Sequence, residues 1–186
     1  MRTRSKILAR TLGATAATFL LAVFVTQAKA DAPAPRPAAQ FEVKYLSGTI
    51  DHHFMAVQMS ELCPGRVVLP PLLDLCSQIV SDQGGEIEQM KGWLRSWYGF
   101  EKEPVMRPSD ETQLRKLAAL SGPAFDVTYM RMMSRHHERG VREAARCLRQ
   151  SFHPELRNFC AHVIEEQNRE IAMMKSWLCI WYNVCP

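Results

Sequence analysis

Hydrophobic positions in this chain recur at helical spacing and nowhere alternate as a strand would. From residue 71 to 98 the inward positions are Ile79, Gln83, Glu86, Met90, Trp93 and Trp97, a continuous stripe on a 3.6-residue period. The same stripe returns over residues 154 to 182 as Gln167, Glu170, Met174, Trp177 and Trp181. Each of these segments follows another helical segment, over residues 41 to 62 and 124 to 149. The separators are Pro64-Gly65 with Pro70-Pro71 in one place and Pro154 in the other. Residues 99 to 108 form a polar, proline-punctuated linker. Asp110 and Gln113 then suggest a capping box opening a short helix through Leu120, stopped by Ser121-Gly122-Pro123.

The two halves are copies of each other. At an offset of 84 residues Phe41, Val43, Tyr45 and His52-His53 meet Phe125, Val127, Tyr129 and His136-His137, and Cys63 and Cys76 meet Cys147 and Cys160. The matches continue ungapped from Gln83 to Tyr98 against Gln167 to Tyr182, which is an internal duplication. Two hairpins, each with one apolar face, bury those faces best against each other. The expected fold is an all-α four-helix bundle, with repeat one at 41–98, a linker and short helix at 99–122 and repeat two at 123–182.

The stretch before the bundle reads as an address. Arg2, Arg4, Lys6 and Arg10 precede an apolar run from Thr11 to Thr26, and Ala28-Lys29-Ala30 follows in the small-x-small order of a cleaved secretory signal. That run is shorter than the roughly 20 residues a membrane span needs, so cleavage after Ala30 and a periplasmic or secreted location are expected, with no stable membrane anchor. A flexible Pro/Ala-rich stretch is expected over residues 31–40. The formal charge of +4 changes meaning accordingly. Without the five basic residues up to Lys29, 18 basic residues stand against 19 acidic ones. No basic block and no glycine-rich phosphate loop remains, so neither nucleic acid nor nucleotide is an expected partner.

Export makes disulfides the natural fate of six cysteines. The repeated 13-residue spacing pairs Cys63 with Cys76 and Cys147 with Cys160, each joining the end of one helix to the start of the next. A loop of that size contributes on the order of 3 kcal/mol in the chain-entropy model. Cys179 and Cys185 have no counterparts in repeat one. They can close only if the helix ends between them, near Asn183.

The candidate chemistry lies on the inner stripes. Tyr45, His52 and Met59 lie seven apart on one helix face, as do Tyr129, His136 and Glu143. Glu86 and Glu170 sit within otherwise apolar seams, where a carboxylate needs a hydrogen bond, a counter-charge or a cation. Imidazole beside methionine thioether suits copper, Cu(I) in particular, better than harder ions. The candidate ligands are His52, His53, Met59, Glu86 and Met90 in repeat one, and Met133, His136, His137, Glu143, Glu170 and Met174 in repeat two. The same spacing also suits methionines that fill the core and histidines that hydrogen-bond to the glutamates, and the residues alone leave both readings open.

Other chemistries lack their motifs. No Glu-x-x-His occurs, no second histidine follows His137-Glu138 at zinc-protease spacing, and no Cys-x-x-Cys is available for haem attachment. Nothing marks a nucleophile, so a binding protein is favoured over an enzyme. His153 reads as a helix-start residue, His162 as a surface histidine beside Glu165 and Glu166, and the Trp-Leu-x-x-Trp-Tyr segments as core packing.

HHFMAVQMSEL followed by DQGGEIEQMKGWLRSW, and LAALSGPAFDVTYMRMMSRHH followed by EEQNREIAMMKSWL, together resemble the domain of unknown function family 305. The resemblance runs from about Phe41 to Tyr182. It implies an exported bacterial protein with a ferritin-like four-helix fold, in a family some of whose members bind copper. The family pattern carries a methionine three before the His pair and another six after its second histidine. Here repeat one has Thr49 and Met59 at those positions, whereas repeat two has Met133 and Glu143, so each copy holds part of the set. The linker offers only Met106, which points to one or two sites within the bundle, for copper sequestration or handling.

Overall fold

The computed structural model describes residues 33–185, so the expected signal peptide and its cleavage site lie outside the described residues. Five helices follow in order: α1 (Arg36–Ser60), α2 (Pro70–Tyr98), α3 (Pro108–Ala118), α4 (Gly122–Gln150) and α5 (Pro154–Tyr182). Helices α1 and α2 form one hairpin and α4 and α5 the other, with α3 lying in the connection. None of the helices among the described residues is long and apolar enough to cross a membrane.

Each helix has a proline in its first two positions, where the missing N–H would have no intrahelical acceptor and the fixed φ already suits a helix. This moves the start of α1 to Arg36, so the second half of the Pro/Ala-rich stretch expected to be flexible is helical. Helices α2 and α5 end alike, in left-handed residues at equivalent positions: Gly99 (φ 61°) and Asn183 (φ 53°). Asparagine tolerates that conformation better than other side chains do, and it lets the chain turn back so that Cys185 reaches Cys179. Cys63–Cys76 and Cys147–Cys160 also form, as the repeated spacing anticipates.

The capping box expected at α3 is not formed. Its first turn begins at Pro108, and the Asp110 carboxylate turns back onto the Arg107 guanidinium at 2.7 and 3.1 Å instead of capping a backbone N–H. A charge-assisted fork is a stronger partner than a neutral amide.

The hairpins are locked to each other by an exchange of acids. Glu42 of α1, fully buried, accepts the backbone N–H groups of Phe152 and His153 at 2.6 and 3.0 Å, at the turn of the opposite hairpin. It also accepts the His153 Nδ1–H at 2.6 Å and the Tyr98 hydroxyl. Its duplicate Asp126 of α4 does the reciprocal work, accepting the Val68 N–H at 3.4 Å in the first hairpin's turn and the Tyr182 hydroxyl at 2.7 Å. Burial, and then the adjoining carboxylate, push both tyrosine hydroxyls above their ordinary pKa. His153 is therefore more than a helix-start residue. It is buried and stacks on Trp97 at 3.8 Å between ring centroids.

Two buried clusters fill the bundle, one toward the Cys63–Cys76 end and one toward the Cys147–Cys160 end. Of the nine methionines among the described residues, eight belong to or pack against the first cluster. Only Met90 lies in the second, which is built from aliphatic and aromatic side chains. The tryptophan repeats also differ in burial: Trp97 is in the core, whereas its duplicate Trp181 is 40% exposed, so the expectation of core packing holds fully only in repeat one.

Removing one partner from a buried, hydrogen-bonded charge leaves the others unsatisfied, at a cost of about 3–5 kcal/mol. Glu42→Ala is expected to lower unfolding free energy by about that amount in urea titration, because it strips four donors of their acceptor at once.

Candidate metal centre

Helices α1 and α4 run antiparallel across the middle of the bundle, with His52 opposite His136 and Ser60 opposite Tyr129, whose hydroxyls are 2.7 Å apart. The His52 Nε2–H donates to the carbonyl of His136 at 3.2 Å, and the His136 Nε2–H donates to the carbonyl of His52 at 3.1 Å. A carbonyl can only accept, so both rings carry their proton on Nε2. The rings stack with centroids 3.7 Å apart, and the Arg139 guanidinium donates to Nδ1 of His136 at 3.3 Å. The first histidine of each pair thus forms a reciprocal clasp between the repeats. Their Nε2 atoms are committed to this clasp, so a metal bound by His52 or His136 would have to use Nδ1.

The second histidine of each pair turns toward its own hairpin partner. His53 Nε2 lies 2.8 Å from Glu86 Oε2, and His137 Nε2 lies 2.8 Å from Glu170 Oε2. Both imidazoles are fully buried, yet neither nitrogen of either ring makes a hydrogen bond. The carboxylate oxygens are close enough but lie off the N–H direction. Such an arrangement leaves orphaned polar atoms in a place where they are costly. Two ligands of one tetrahedral ion at about 2.0–2.1 Å would stand about 3.4 Å apart, so either pair would have to open slightly to share an ion.

The neighbouring positions keep this region open. Gln83 and Gln167, also buried, have unpartnered Oε1 atoms. Gly140 leaves room for the clasp, since a Cβ there would stand 2.3 Å from Gln167 Oε1 and 3.1 Å from His52 Cε1. On the outer side of the α2/α5 seam, a small cavity is lined by Asp82, Gln83 and Glu86 from α2 and their duplicates Glu166, Gln167 and Glu170 from α5.

The antiparallel crossing redistributes the ligand candidates. Met59 of repeat one shares a cavity with Met55, Met132 and His136. Glu143 of repeat two lines a groove of about 230 Å³ with Thr49, His52 and His53. Met59, Met133 and Met174 all belong to the methionine-rich cluster, while Thr49 and Glu143 line one groove on the other side, and the second cluster holds Met90 as its one thioether among the described residues. The partial sets read in the two copies are therefore not two half-complete sites. One side keeps both methionines and the other keeps neither.

His162 is exposed, as expected, and pairs with Glu166 at 3.1 Å. It also lies near Glu86 across the seam, a proximity that no spacing rule carries because the two residues belong to different repeats.

The sequence profile of the domain of unknown function DUF305 matches residues 42–178. CopM solved with Cu(I) bound is similar to this chain with a TM-score of 0.68 and 28% identity, covering 76% of this chain and 97% of that one. The Cu(II)-bound form of CopM gives the same values. A DUF305 protein from Streptomyces coelicolor shares the fold with a TM-score of 0.64 and 23% identity, over 75% of this chain and 92% of that one. No curated protein matches the sequence.

Burial first, and then the charges of neighbouring histidines, hold the pKa of both clasp rings well below the usual 6.5. The folded protein therefore refuses protons that the unfolded chain accepts. The clasp's contribution is complete above the unfolded value and is lost as pH falls below it, toward the lower folded pKa. Urea midpoints taken from pH 8 down to pH 5 should fall, and the double variant His52→Gln/His136→Gln should flatten that slope by up to about two protons.

Proposed function

Since the chain belongs to the DUF305 family, its profile spanning residues 42–178, we propose that it binds a soft transition metal, copper above all, and sequesters or hands it on outside the cytoplasm. The observation that carries this reading is the pair of buried imidazoles, His53 and His137, each 2.8 Å from a carboxylate without a hydrogen bond to it. A buried hydrogen-bonded network would align those atoms, and these are not aligned. CopM, which is similar over most of this chain, binds Cu(I), Cu(II) and silver in its solved forms, and this supports the choice of metal.

The methionines favour one half of the bundle for Cu(I). Met133 lies one helical turn before His137 on α4, and Met174 one turn after Glu170 on α5, so thioether, imidazole and carboxylate lie on facing stripes. All four side chains are buried. Neutral thioethers tolerate burial without a counter-charge, and a single carboxylate balances a monovalent cation. His137 would bind through a ring nitrogen, with Glu170 as co-ligand or as the group that orients the ring. Met59, with Met55 and Met132 beside it, extends the thioether lining toward the cavity near His136. The role carries over to an exported chain if residues 1–30 direct secretion and are removed after Ala30.

The test is competition for Cu(I) against a chromophoric chelator, using mature, disulfide-bonded protein. Wild-type protein should withdraw the metal, and Met133→Leu/Met174→Leu, which keeps shape and apolarity, should weaken uptake by roughly tenfold or more. Bound copper should also raise the melting temperature, as a ligand of the native state must. No withdrawal by the wild-type protein, or equal withdrawal by the variant, would sink this assignment.

A further inference from the structure

We propose that Glu86, His162 and Glu166, with His53 beneath Glu86, form a second site of different chemistry, which binds a divalent ion of the zinc or copper(II) class. One ligand atom from each of Glu86, His162 and Glu166 lies within 4.8 Å of the other two. Ligands of one such ion are about 3.4–4.2 Å apart, so closure requires only small rotations, and His162, with a side chain 62% exposed, is free to make them.

The independent observation is His53. Its ring is completely buried and neither nitrogen is hydrogen-bonded, while Nε2 stands 2.8 Å from Glu86. Glu86, His162 and Glu166 offer one imidazole and two carboxylates, a neutral balance for a doubly charged ion, and His53 stands behind Glu86 as the group that orients it. The cavity between α2 and α5 is about 10 Å³, near the size of a single water molecule, and no methionine lines it. Four carboxylates crowd this seam. A bound cation would offset that crowding of like charges.

The donor set exists in one half only. The duplicate of His162 is Gln78, and the duplicate of Glu166 is Asp82, one methylene shorter. The His137–Glu170 half therefore lacks the second imidazole but has the thioethers, and the His53–Glu86 half has the reverse. This assignment does not depend on copper uptake at the methionines, because it shares none of those ligands.

Zinc is the probe. Titration of mature, disulfide-bonded protein against a chromophoric zinc chelator should reveal tight uptake of one equivalent. His162→Ala and Glu166→Gln, at positions outside the core, should each weaken it by roughly tenfold or more, with the far-UV circular dichroism and melting temperature of the metal-free protein unchanged. Met133→Leu/Met174→Leu should leave zinc affinity as it is, and His162→Ala should leave Cu(I) withdrawal as it is. Zinc affinity unmoved by both cleft variants, or absent in the wild-type protein, overturns the second site, while loss of Cu(I) uptake alone overturns only the first.

Discussion

Everything in the bundle's middle depends on two neutral imidazoles holding each other's backbone. The His52 and His136 rings each donate to the carbonyl beneath the other ring, and this reciprocity fixes the crossing of α1 and α4 to a single register. Consecutive residues on a helix point about 100° apart, so His53 and His137 cannot also face that seam. They are turned toward α2 and α5 and meet Glu86 and Glu170. The doubled histidine thus divides the work: one residue sets the register, and its neighbour, carried along by the helix, presents a ring nitrogen to a carboxylate.

The two halves then differ by what surrounds that common arrangement. The His137 side is embedded in methionine, a flexible apolar filler with a soft donor, the other cluster holds Met90 alone, and the seam of carboxylates runs between Glu86 and Glu170. Selectivity between soft and borderline ions follows from donor type more than from raw affinity. The two proposed sites would therefore separate soft from borderline ions by donor type, without moving a helix.

Much of this was legible in the sequence because it rests on local patterns. The 84-residue offset, the helical stripes, the proline breaks and the paired cysteine spacing each survive as a hairpin, a turn or a disulfide. What stayed hidden depends on which helix faces which. His52 and His53 are equivalent by composition and spacing, and only the antiparallel crossing separates their roles. Glu42 and His153 are 111 residues apart, so no periodicity links them, yet they share a buried hydrogen bond. The grouping of Met59 with Met133, and of Thr49 with Glu143, is likewise a property of the crossing rather than of either copy. Asp110 misled for a different reason: its cap signature was sound, but Arg107 offered a stronger partner.

The exchanged acids have a consequence for how such a protein can diverge. Glu42 closes the turn of the second hairpin and Asp126 that of the first, which is the geometry of a two-fold homodimer written into a single polypeptide. In a true homodimer every substitution appears on both sides of the axis, so the two centres must stay identical. Once the hairpins are fused, symmetry is kept where the halves brace each other and relaxed where they do not. Gln78 then stands where the other repeat has His162, so the two halves of one duplicated pattern can carry different side chains within a shared frame.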